Sequence, residues 1–258
     1  MFDYSGKSVI VTGGSKGVGF GISEAFLAAG ADVFICGRSE PDTLPEANGK
    51  QAVFYSVDVR KPEESQALID AVVKQTARLD VLINNAGGSP PVAAADASPR
   101  LTESIIRLNL IAPMILAQQA YHAMREQGGS IINIASISGE RPSPGTAAYG
   151  AAKAGLINAT RSLAQEWGSD NVRVNAIIAG MIKTEASHDH YGGNAGIRLI
   201  EDSLPMKRMA VPEDIAHACL FLADAHASYI SGAALEVYGG GEPPSFLKLA
   251  EEALCQGR

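Results

Sequence analysis

The sequence has few cysteines and no excess of positive charge, and each shortage excludes a class of protein. Among its 258 residues the three cysteines, Cys36, Cys219 and Cys255, are too far apart for a CxxC metal site. Their odd number also argues against a disulfide framework and favours free thiols in a reducing compartment. Because 28 acidic residues outnumber 21 basic ones, the net charge is −7, so nucleic acid and anionic membranes are unfavourable partners.

The sequence also lacks the apolar segments of membrane and exported proteins. No run reaches the roughly 18 apolar residues that a transmembrane helix needs. Residues 1–14 show no basic region ahead of a long apolar stretch, unlike a signal peptide. We therefore expect a cytoplasmic protein, and its 46% of hydrophobic residues suffices for an ordinary core.

Short apolar, β-branched runs alternate with helical patterns along the whole chain. This alternation is typical of parallel strands joined by crossover helices. No repeat, low-complexity block or linker marks a domain boundary, so we predict an α/β fold with a single doubly wound Rossmann-type domain over 1–258. Its seven-stranded parallel sheet would lie between helical layers. The predicted strands are 8–12, 33–36, 52–57, 81–83, 130–135, 172–178 and 234–237, and the predicted helices are 20–29, 62–77, 99–127, 147–167 and 212–222.

A glycine-rich segment connects the first predicted strand to the first helix. Gly13, Gly17 and Gly19 follow a GxxxGxG spacing, which differs from the common GxGxxG of dinucleotide-binding turns. Such glycines let the backbone turn tightly and approach a pyrophosphate at the helix N-terminus. A glycine-rich turn without a ligand is the alternative, but the position after the first strand favours a phosphate site.

Together with further motifs, this loop resembles that of the short-chain dehydrogenases/reductases. The resemblance covers essentially the whole chain, and the motifs occur in the family's order. It implies an oxidoreductase that interconverts a ketone and a secondary alcohol with a nicotinamide cofactor. The further motifs are Asp58-Val59 after the third strand, Asn84-Asn85-Ala86-Gly87 after the fourth, Asn109 in the long helix, Ser136 after the fifth strand, and Tyr149 with Lys153 as YxxxK.

The resemblance assigns a catalytic set of Asn109, Ser136, Tyr149 and Lys153. On a helix, Tyr149 and Lys153 lie on one face about one turn apart. An ammonium near the phenol would lower the tyrosine pKa from about 10 and make it a usable general acid/base. The resemblance has Ser136 bind the substrate oxygen. A solvated Tyr–Lys pair and a serine in an ST-turn are the alternatives, and Ser138 competes with Ser136 for its role.

Asn109 has a local signal of its own in Pro113, four residues later. Proline has no N–H to donate, so a continuous helix would leave the Asn109 carbonyl without its helical partner and would kink. The resemblance implies that this carbonyl holds a water of the proton relay. The alternative is a helix break at which Pro113 opens a second helix.

The cofactor is predicted to be NADP, with NAD less favoured. The position where NAD-binding folds place an acidic residue for the ribose 2′-OH falls on Gly37, so no carboxylate repels a 2′-phosphate. Arg38 could bind that phosphate bidentately, and Lys16 could add charge from the glycine loop. A solvated Arg38 is the alternative.

On the family pattern, Asp58 bonds the adenine ring, and Ile182 and Thr184 lie near the nicotinamide, although Ala179-Gly180 replaces a frequent Pro-Gly just before them. The full set of predicted cofactor contacts is Gly13, Ser15, Lys16, Gly17, Val18, Gly19, Arg38, Asp58, Val59, Asn85, Ala86, Gly87, Tyr149, Lys153, Ile182 and Thr184.

The resemblance further implies a mobile substrate lid at about 185–205 and a homo-oligomer, either a dimer or a homotetramer. Small residues crowd the helix over 147–160, which fits close packing against another helix. His188 and His190 have no third ligand at convincing spacing, so we expect surface histidines and no metal site.

Two classes of small-molecule carbonyl or alcohol substrate remain open. One is a 3-oxoacyl thioester, as in the acyl-carrier-protein reductases that this chain resembles in length and layout; the other is a cyclic or steroid-like alcohol. A carrier-protein partner would require a basic patch, for which Arg125 and Arg173 are scattered candidates. A non-catalytic cofactor-binding regulator is the alternative outside enzymes, and the complete catalytic set argues against it.

Overall fold

The computed structural model describes residues 2–256, except for the side chains at 247, 248, 251, 252, 255 and 256. The predicted free thiol of Cys255 therefore lies outside the described residues, whereas Cys36 and Cys219 are buried free thiols. The strands are β1 (Ser8–Thr12), β2 (Asp32–Gly37), β3 (Glu46–Ala47), β4 (Lys50–Gln51), β5 (Val53–Ser56), β6 (Val81–Asn84), β7 (Gly129–Ser136), β8 (Val172–Ala179) and β9 (Ala234–Val237).

Seven of these strands form one parallel sheet in the order β5-β2-β1-β6-β7-β8-β9. The direction of chain progression reverses between β1 and β6, which makes their carboxyl ends the switch point where doubly wound folds bind ligands. The predicted fold class is therefore confirmed, including the number and parallel direction of the strands.

Helices cover both faces of the sheet. Short 3₁₀ turns at Ile137–Gly139, Gly168–Asp170 and Ala225–Ala227 lie between strands and helices. The helices are α1 (Gly17–Ala28), α2 (Pro62–Thr76), α3 (Pro99–Ile106), α4 (Ala112–Met124), α5 (Ala147–Trp167), α6 (Ser187–His190), α7 (Gly193–Ser203), α8 (Pro212–Ala223) and α9 (Ser245–Gln256).

Burial on both faces explains why the strands are apolar without alternation. In β1, Val9 and Val11 join a core shared with Phe26 of α1, whereas Ile10 joins the opposite core with Leu116 of α4. Successive side chains of a strand point to opposite faces, so a sheet covered on both sides requires apolar residues at every position.

The structure differs from the sequence-based prediction in three elements. The predicted helix 99–127 is divided into α3 and α4 by a π-helical turn at Arg107–Ile111, because Pro113 cannot continue the regular hydrogen-bond ladder. The short hairpin β3–β4 was not predicted, and the segment 185–205 contains α6 and α7. Within the described residues, no helix is long and apolar enough to cross a membrane.

Candidate active site

The carboxyl ends of β1, β6, β7 and β8 open into one cleft of about 890 Å³. The cleft lies at the switch point of the sheet, where the sequence predicted a cofactor and a catalytic set to meet. The predicted site residues that line it are Gly13, Lys16, Val18, Gly19, Asn85, Ala86, Gly87, Ser136, Tyr149, Lys153, Ile182 and Thr184. Ser15 and Gly17 line an adjoining cleft of about 500 Å³, which shares Lys16.

The glycine loop is shaped to admit a ligand close to its backbone. Gly13 and Gly17 have φ angles of +64° and +51°, which favour glycine. A Cβ atom at Gly19 would lie 2.5 Å from the Asn85 amide nitrogen, so no side chain fits there. The Thr12 hydroxyl accepts hydrogen bonds from the backbone N–H groups of Asn85 and Ala86, both at 2.9 Å, and so joins the two loops of the switch point.

A carboxylate binds the backbone amide at the start of α1. The Gly17 N–H donates to Glu185 Oε1 at 2.9 Å, across 168 residues of sequence. Free N–H groups at a helix N-terminus attract anions, and here a carboxylate occupies the position expected of a pyrophosphate. The sequence analysis missed Glu185, since no local pattern relates it to Gly17.

Tyr149 and Lys153 lie one turn apart on α5, as predicted, with the Lys153 Nζ 5.5 Å from the centre of the Tyr149 ring. Lys153 is only 4% exposed, and its Nζ donates to the Ile134 carbonyl at 2.7 Å. Burial disfavours the ammonium and lowers the pKa of Lys153 to about 8.

The expected lowering of the Tyr149 pKa is wrong for this structure. Burial raises the pKa of Tyr149 above its usual range, the Ser136 hydroxyl beside it acts in the opposite direction, and the neighbouring Tyr191 adds to the rise. The loss of hydration destabilises the phenolate more than the hydrogen bond from Ser136 stabilises it. Tyr149 is therefore a protonated phenol at neutral pH.

Ser136 ends β7 and begins the turn at Ile137–Gly139. Its Oγ accepts a hydrogen bond from the Ser138 backbone N–H at 3.2 Å, so the ST-turn alternative is also realised. Because the oxygen accepts in that contact, the hydroxyl proton stays available to a ligand in the cleft. The competitor Ser138 also lines the cleft.

Asn109 is fully buried in the π-helical turn, where its side-chain amide joins that turn to the loop after β6. Its Nδ2 donates to the Gly88 and Ile105 carbonyls, and its Oδ1 accepts from the Gly88 N–H, all at 2.9 Å. A Cβ atom at Gly87 would lie 2.7 Å from that Oδ1 and 3.3 Å from the Lys153 Nζ. Gly87 thus lets Asn109 and Lys153 come close together.

Arg38 is exposed just beyond the end of β2, and it does not line the main cleft. A Cβ atom at Gly37 would make only ordinary contacts, the nearest at 3.6 Å, so the absence of an acidic residue there is not imposed by packing. The adjoining cleft near Lys16 is also lined by the carboxylates of Glu24, Glu40, Asp42, Glu185 and Glu213.

Asp58 follows β5, and its carboxylate is bound by a neighbouring guanidinium. The Arg60 Nε and Nη2 donate to its two oxygens at 2.9 and 2.6 Å, and these hydrogen bonds hold the pKa of Asp58 at about 2. Asp58 lines a separate cleft of about 400 Å³ with Arg60. Val59 is 9% exposed and packs in the apolar core.

Ile182 and Thr184 follow β8, and both line the main cleft. Ile182 pairs with Ala210 in an isolated bridge, and the Thr184 N–H donates to the Ser187 hydroxyl at 2.8 Å. A Cβ atom at Gly180 would lie 2.5 Å from the Tyr238 side chain, so close packing explains the glycine in Ala179-Gly180.

Arg141 and Tyr191 also line the cleft, and the sequence analysis missed both. Arg141 is five residues beyond Ser136 and forms an ion pair with Glu242, which follows β9. Tyr191 lies at the end of α6, where its raised pKa reflects burial and the nearby Glu242 carboxylate. Only the tertiary fold brings these three side chains together.

Comparisons with known proteins agree with this geometry. Residues 13–242 match the family model described as enoyl-(acyl carrier protein) reductase. A 3-oxoacyl-(acyl-carrier-protein) reductase of Chlamydia trachomatis is 38% identical over 241 residues, which cover 91% of this chain and 96% of that protein. A mouse peroxisomal 2,4-dienoyl-CoA reductase is 35% identical over 242 residues, covering 91% and 83%.

A solved structure shares the whole architecture. It is the crystal structure of a candidate short-chain alcohol dehydrogenase from Sinorhizobium meliloti 1021, with a TM-score of 0.85 and 33% identity. The likeness covers 93% of this chain and 97% of that one. The fold, the cleft and these similarities lead to one conclusion: the chain belongs to the short-chain dehydrogenase/reductase family and is an oxidoreductase that uses a nicotinamide cofactor.

Proposed function

We propose that the protein interconverts a ketone and a secondary alcohol with NADP as its cofactor and Tyr149 as the proton-transferring group. The observation that carries this proposal is the meeting of Tyr149, Ser136 and the buried Lys153 in the cleft that the glycine loop also lines. A phenol and a hydroxyl side by side can bind one substrate oxygen, which is what carbonyl chemistry requires.

Tyr149 would donate its proton to the oxygen of the bound ketone. Its raised pKa keeps the proton on the phenol at neutral pH, so the residue is ready to act as an acid in the direction of reduction. Ser136 would donate its hydroxyl proton to the same oxygen, while the Ser138 N–H holds the Ser136 Oγ in place. Asn109 would keep the loop after β6 in position and support the proton relay.

The chain's own groups fit a dinucleotide. Gly13, Gly17 and Gly19 would leave room for a pyrophosphate, and the hydrogen bond that the Gly17 N–H donates to the Glu185 carboxylate supports anion binding at this amide. Lys153 would hold the nicotinamide ribose. The cofactor, when bound, supplies or accepts the hydride.

The preference for NADP rests on Arg38 and Lys16. Gly37 brings no carboxylate to the ribose 2′ position, and the exposed Arg38 is free to turn its guanidinium towards a phosphate. The carboxylates that line the neighbouring cleft would repel a 2′-phosphate. We therefore assign to Arg38 and Lys16 the positive charge that this phosphate requires. Asp58 and Val59 would form the adenine side, with the Asp58 carboxylate fixed by Arg60.

Among substrates, 3-oxoacyl compounds are supported by the name of the Chlamydia relative. A cyclic or steroid-like alcohol has no comparable support. The structure does not support a basic patch for a carrier protein at Arg173, because its guanidinium binds backbone carbonyls of this chain. It donates to the Leu222 and Ala223 carbonyls at 2.6 and 3.0 Å. Of the two arginines named from sequence, Arg125 alone is exposed.

We further propose one domain, a lid formed by α6 and α7, and assembly into a homo-oligomer. The lid would carry Tyr191 over the cleft while Ile197 anchors α7 on an apolar cluster with Met209. The half-exposed apolar side chains of Ile111, at the end of the π-helical turn, and Met114 on α4 support contact between copies. The buried thiols of Cys36 and Cys219 are compatible with a cytoplasmic location.

A panel of ketones and alcohols tests this function. Purified enzyme would be mixed with each compound and with NADPH or NADP, and in parallel with NADH or NAD, while cofactor absorbance is followed. Turnover of at least one ketone with NADPH, at a higher kcat/KM than with NADH, is the expected result. Oxidoreduction only of carbon–carbon double bonds, with no ketone turned over, would overturn the proposal.

A further inference from the structure

One cationic residue that lines the cleft, Arg141, has no role in the proposed chemistry. Lys16 and Lys153 line the cleft with the glycine loop and Tyr149, and both are assigned to the cofactor. Arg141 lies instead on the loop between Ser136 and α5. It is the remaining lysine or arginine among the described residues that line this cleft. Arg141 is therefore the lining cation to which no role has yet been assigned.

One of the three nitrogens of the Arg141 guanidinium has no hydrogen-bond partner among the described residues. Its Nη2 donates to Glu242 Oε1 at 2.6 Å, and its Nη1 donates to the Pro142 carbonyl at 2.9 Å. Its Nε is buried and has no hydrogen-bond partner among the described residues. An unsatisfied buried donor costs free energy, and because Nε is covered by protein atoms, Nη2 is the donor that a solute carboxylate can reach by replacing Glu242.

The contact with Glu242 shows which kind of ligand the Arg141 guanidinium binds, namely a carboxylate. Glu242 places a carboxylate oxygen on Nη2, and it comes from the segment after β9, where Gly239, Gly240 and Gly241 all have positive φ angles. The side chains of Arg141 and Glu242 are 37% and 36% exposed, so a solute carboxylate can reach the pair and replace Glu242. An exposed ion pair of this kind is weak, which makes replacement inexpensive.

We propose that Arg141 binds a carboxylate of the substrate, so that the enzyme acts on an oxo acid and its hydroxy acid. The inference rests on the proposed function, because the carbonyl of the same molecule must reach Tyr149. Glu242 holds the guanidinium in place until the substrate carboxylate replaces it on Nη2. A neutral thioester offers Arg141 only a carbonyl oxygen without charge, so this proposal favours the free acid over the thioester.

The test compares substrates that share one acyl group. Acetoacetate, its ethyl ester and acetoacetyl-coenzyme A would be reduced with NADPH by wild type, Arg141→Met, Glu242→Gln and the control Arg125→Met, whose arginine does not line the cleft. We expect the ratio of kcat/KM for acid over ester to fall about 10- to 100-fold in Arg141→Met, since a charged hydrogen-bonding partner is lost. Glu242→Gln should raise that ratio because the competing carboxylate loses its charge.

Other outcomes overturn the proposal. An equal loss for acid and ester in Arg141→Met, matched by Glu242→Gln, would make the pair a tether for the segment after β9. A loss confined to acetoacetyl-coenzyme A would show that Arg141 binds the phosphates of a carrier.

A binding measurement separates this proposal from the proposed function. Butyrate cannot be reduced, so calorimetric titration of NADPH-loaded wild type and Arg141→Met with butyrate and with ethyl butyrate reports Arg141 alone. We expect butyrate to bind wild type at least about 10-fold more tightly than the variant. If wild type reduces no ketone, the proposed function fails, and this titration still decides the role of Arg141: equal butyrate affinities would overturn it.

Discussion

At the scale of single residues, burial determines the protonation of the two central side chains. It lowers the pKa of Lys153 to about 8 and raises that of Tyr149, so each group is shifted towards its uncharged form. Between neutral pH and about 8 the pair consists of a protonated phenol and an ammonium, which suits proton donation to a ketone.

A pH dependence follows for cofactor capture. The kcat/KM for NADPH reports the free enzyme, in which Lys153 loses its proton as the pH rises through about 8. Since the neutral amine attracts the cofactor less, we expect kcat/KM for NADPH to be constant at lower pH and to decline above about 8. Initial rates across this range would show it, and a value that stays constant to pH 10 would contradict the assignment.

Cofactor preference is also decided by individual residues. Gly37→Asp with Arg38→Ala places a carboxylate at the ribose and removes a guanidinium, and Gly37 has room for the new Cβ. We expect the NADPH-to-NADH ratio of kcat/KM to fall about 10-fold or more, because a charged hydrogen bond is lost and a repulsion is added. Arg60→Ala is the control that removes an arginine from the adenine side. Equal ratios in the double variant and wild type would refute the role of Arg38.

At the scale of elements, the segment after β8 and the N-terminus of α1 are joined by the Glu185 carboxylate. A bound pyrophosphate would need the Gly17 N–H that Glu185 now occupies. We predict that Glu185→Gln binds NADPH about 2- to 5-fold more tightly, the size expected for removing a competing charge at a helix N-terminus. Fluorescence titration would measure it.

Glu213→Gln is the matched control for that experiment. Glu213 lines the same cleft as Glu185, but the Gly17 N–H donates to Glu185. If both variants change NADPH affinity equally, net charge accounts for the effect and the specific contact does not matter. Weaker binding by Glu185→Gln would contradict the competition.

Local sequence patterns account for most elements, whereas the proposed catalytic set came from the family resemblance. The strands are apolar without alternation, and Pro113 signals an irregularity after Asn109, although not that it is a π-helical turn. The hairpin β3–β4 was missed although Asn48-Gly49, both with positive φ, is a typical hairpin turn.

The sequence could not predict contacts between distant segments, nor the direction of a pKa shift that depends on opposing effects of burial and hydrogen bonding. Glu185 meets Gly17 and Glu242 meets Arg141 only because the sheet brings their loops together. The direction of the Tyr149 pKa depends on how much hydration is lost, which spacing along a helix does not reveal. Arg60 could be seen beside Asp58, but not its bidentate geometry.

At the scale of the whole molecule, we predict self-association through an exposed apolar surface that the π-helical turn, α4 and α5 form together. Ile111 and Met114 are 37% and 40% exposed, beside the stacked rings of Tyr121 and Trp167. If the wild type forms the proposed homo-oligomer, Met114→Lys should shift it towards smaller species in light scattering after size exclusion, since a charge would be buried in the contact. Leu199→Lys on α7 is the control, and an unchanged mass for Met114→Lys would contradict this interface.

The central claim is that Tyr149 transfers the proton to a carbonyl substrate, and Tyr149→Phe tests it most directly. In single-turnover experiments with saturating NADPH and a ketone substrate of the wild type, the variant should lose about 100- to 10,000-fold in the rate of NADPH oxidation. Its Kd for NADPH should stay near that of wild type, because Lys153 and the glycine loop remain. A single-turnover rate above about a tenth of the wild-type rate, far outside that range, would contradict the account.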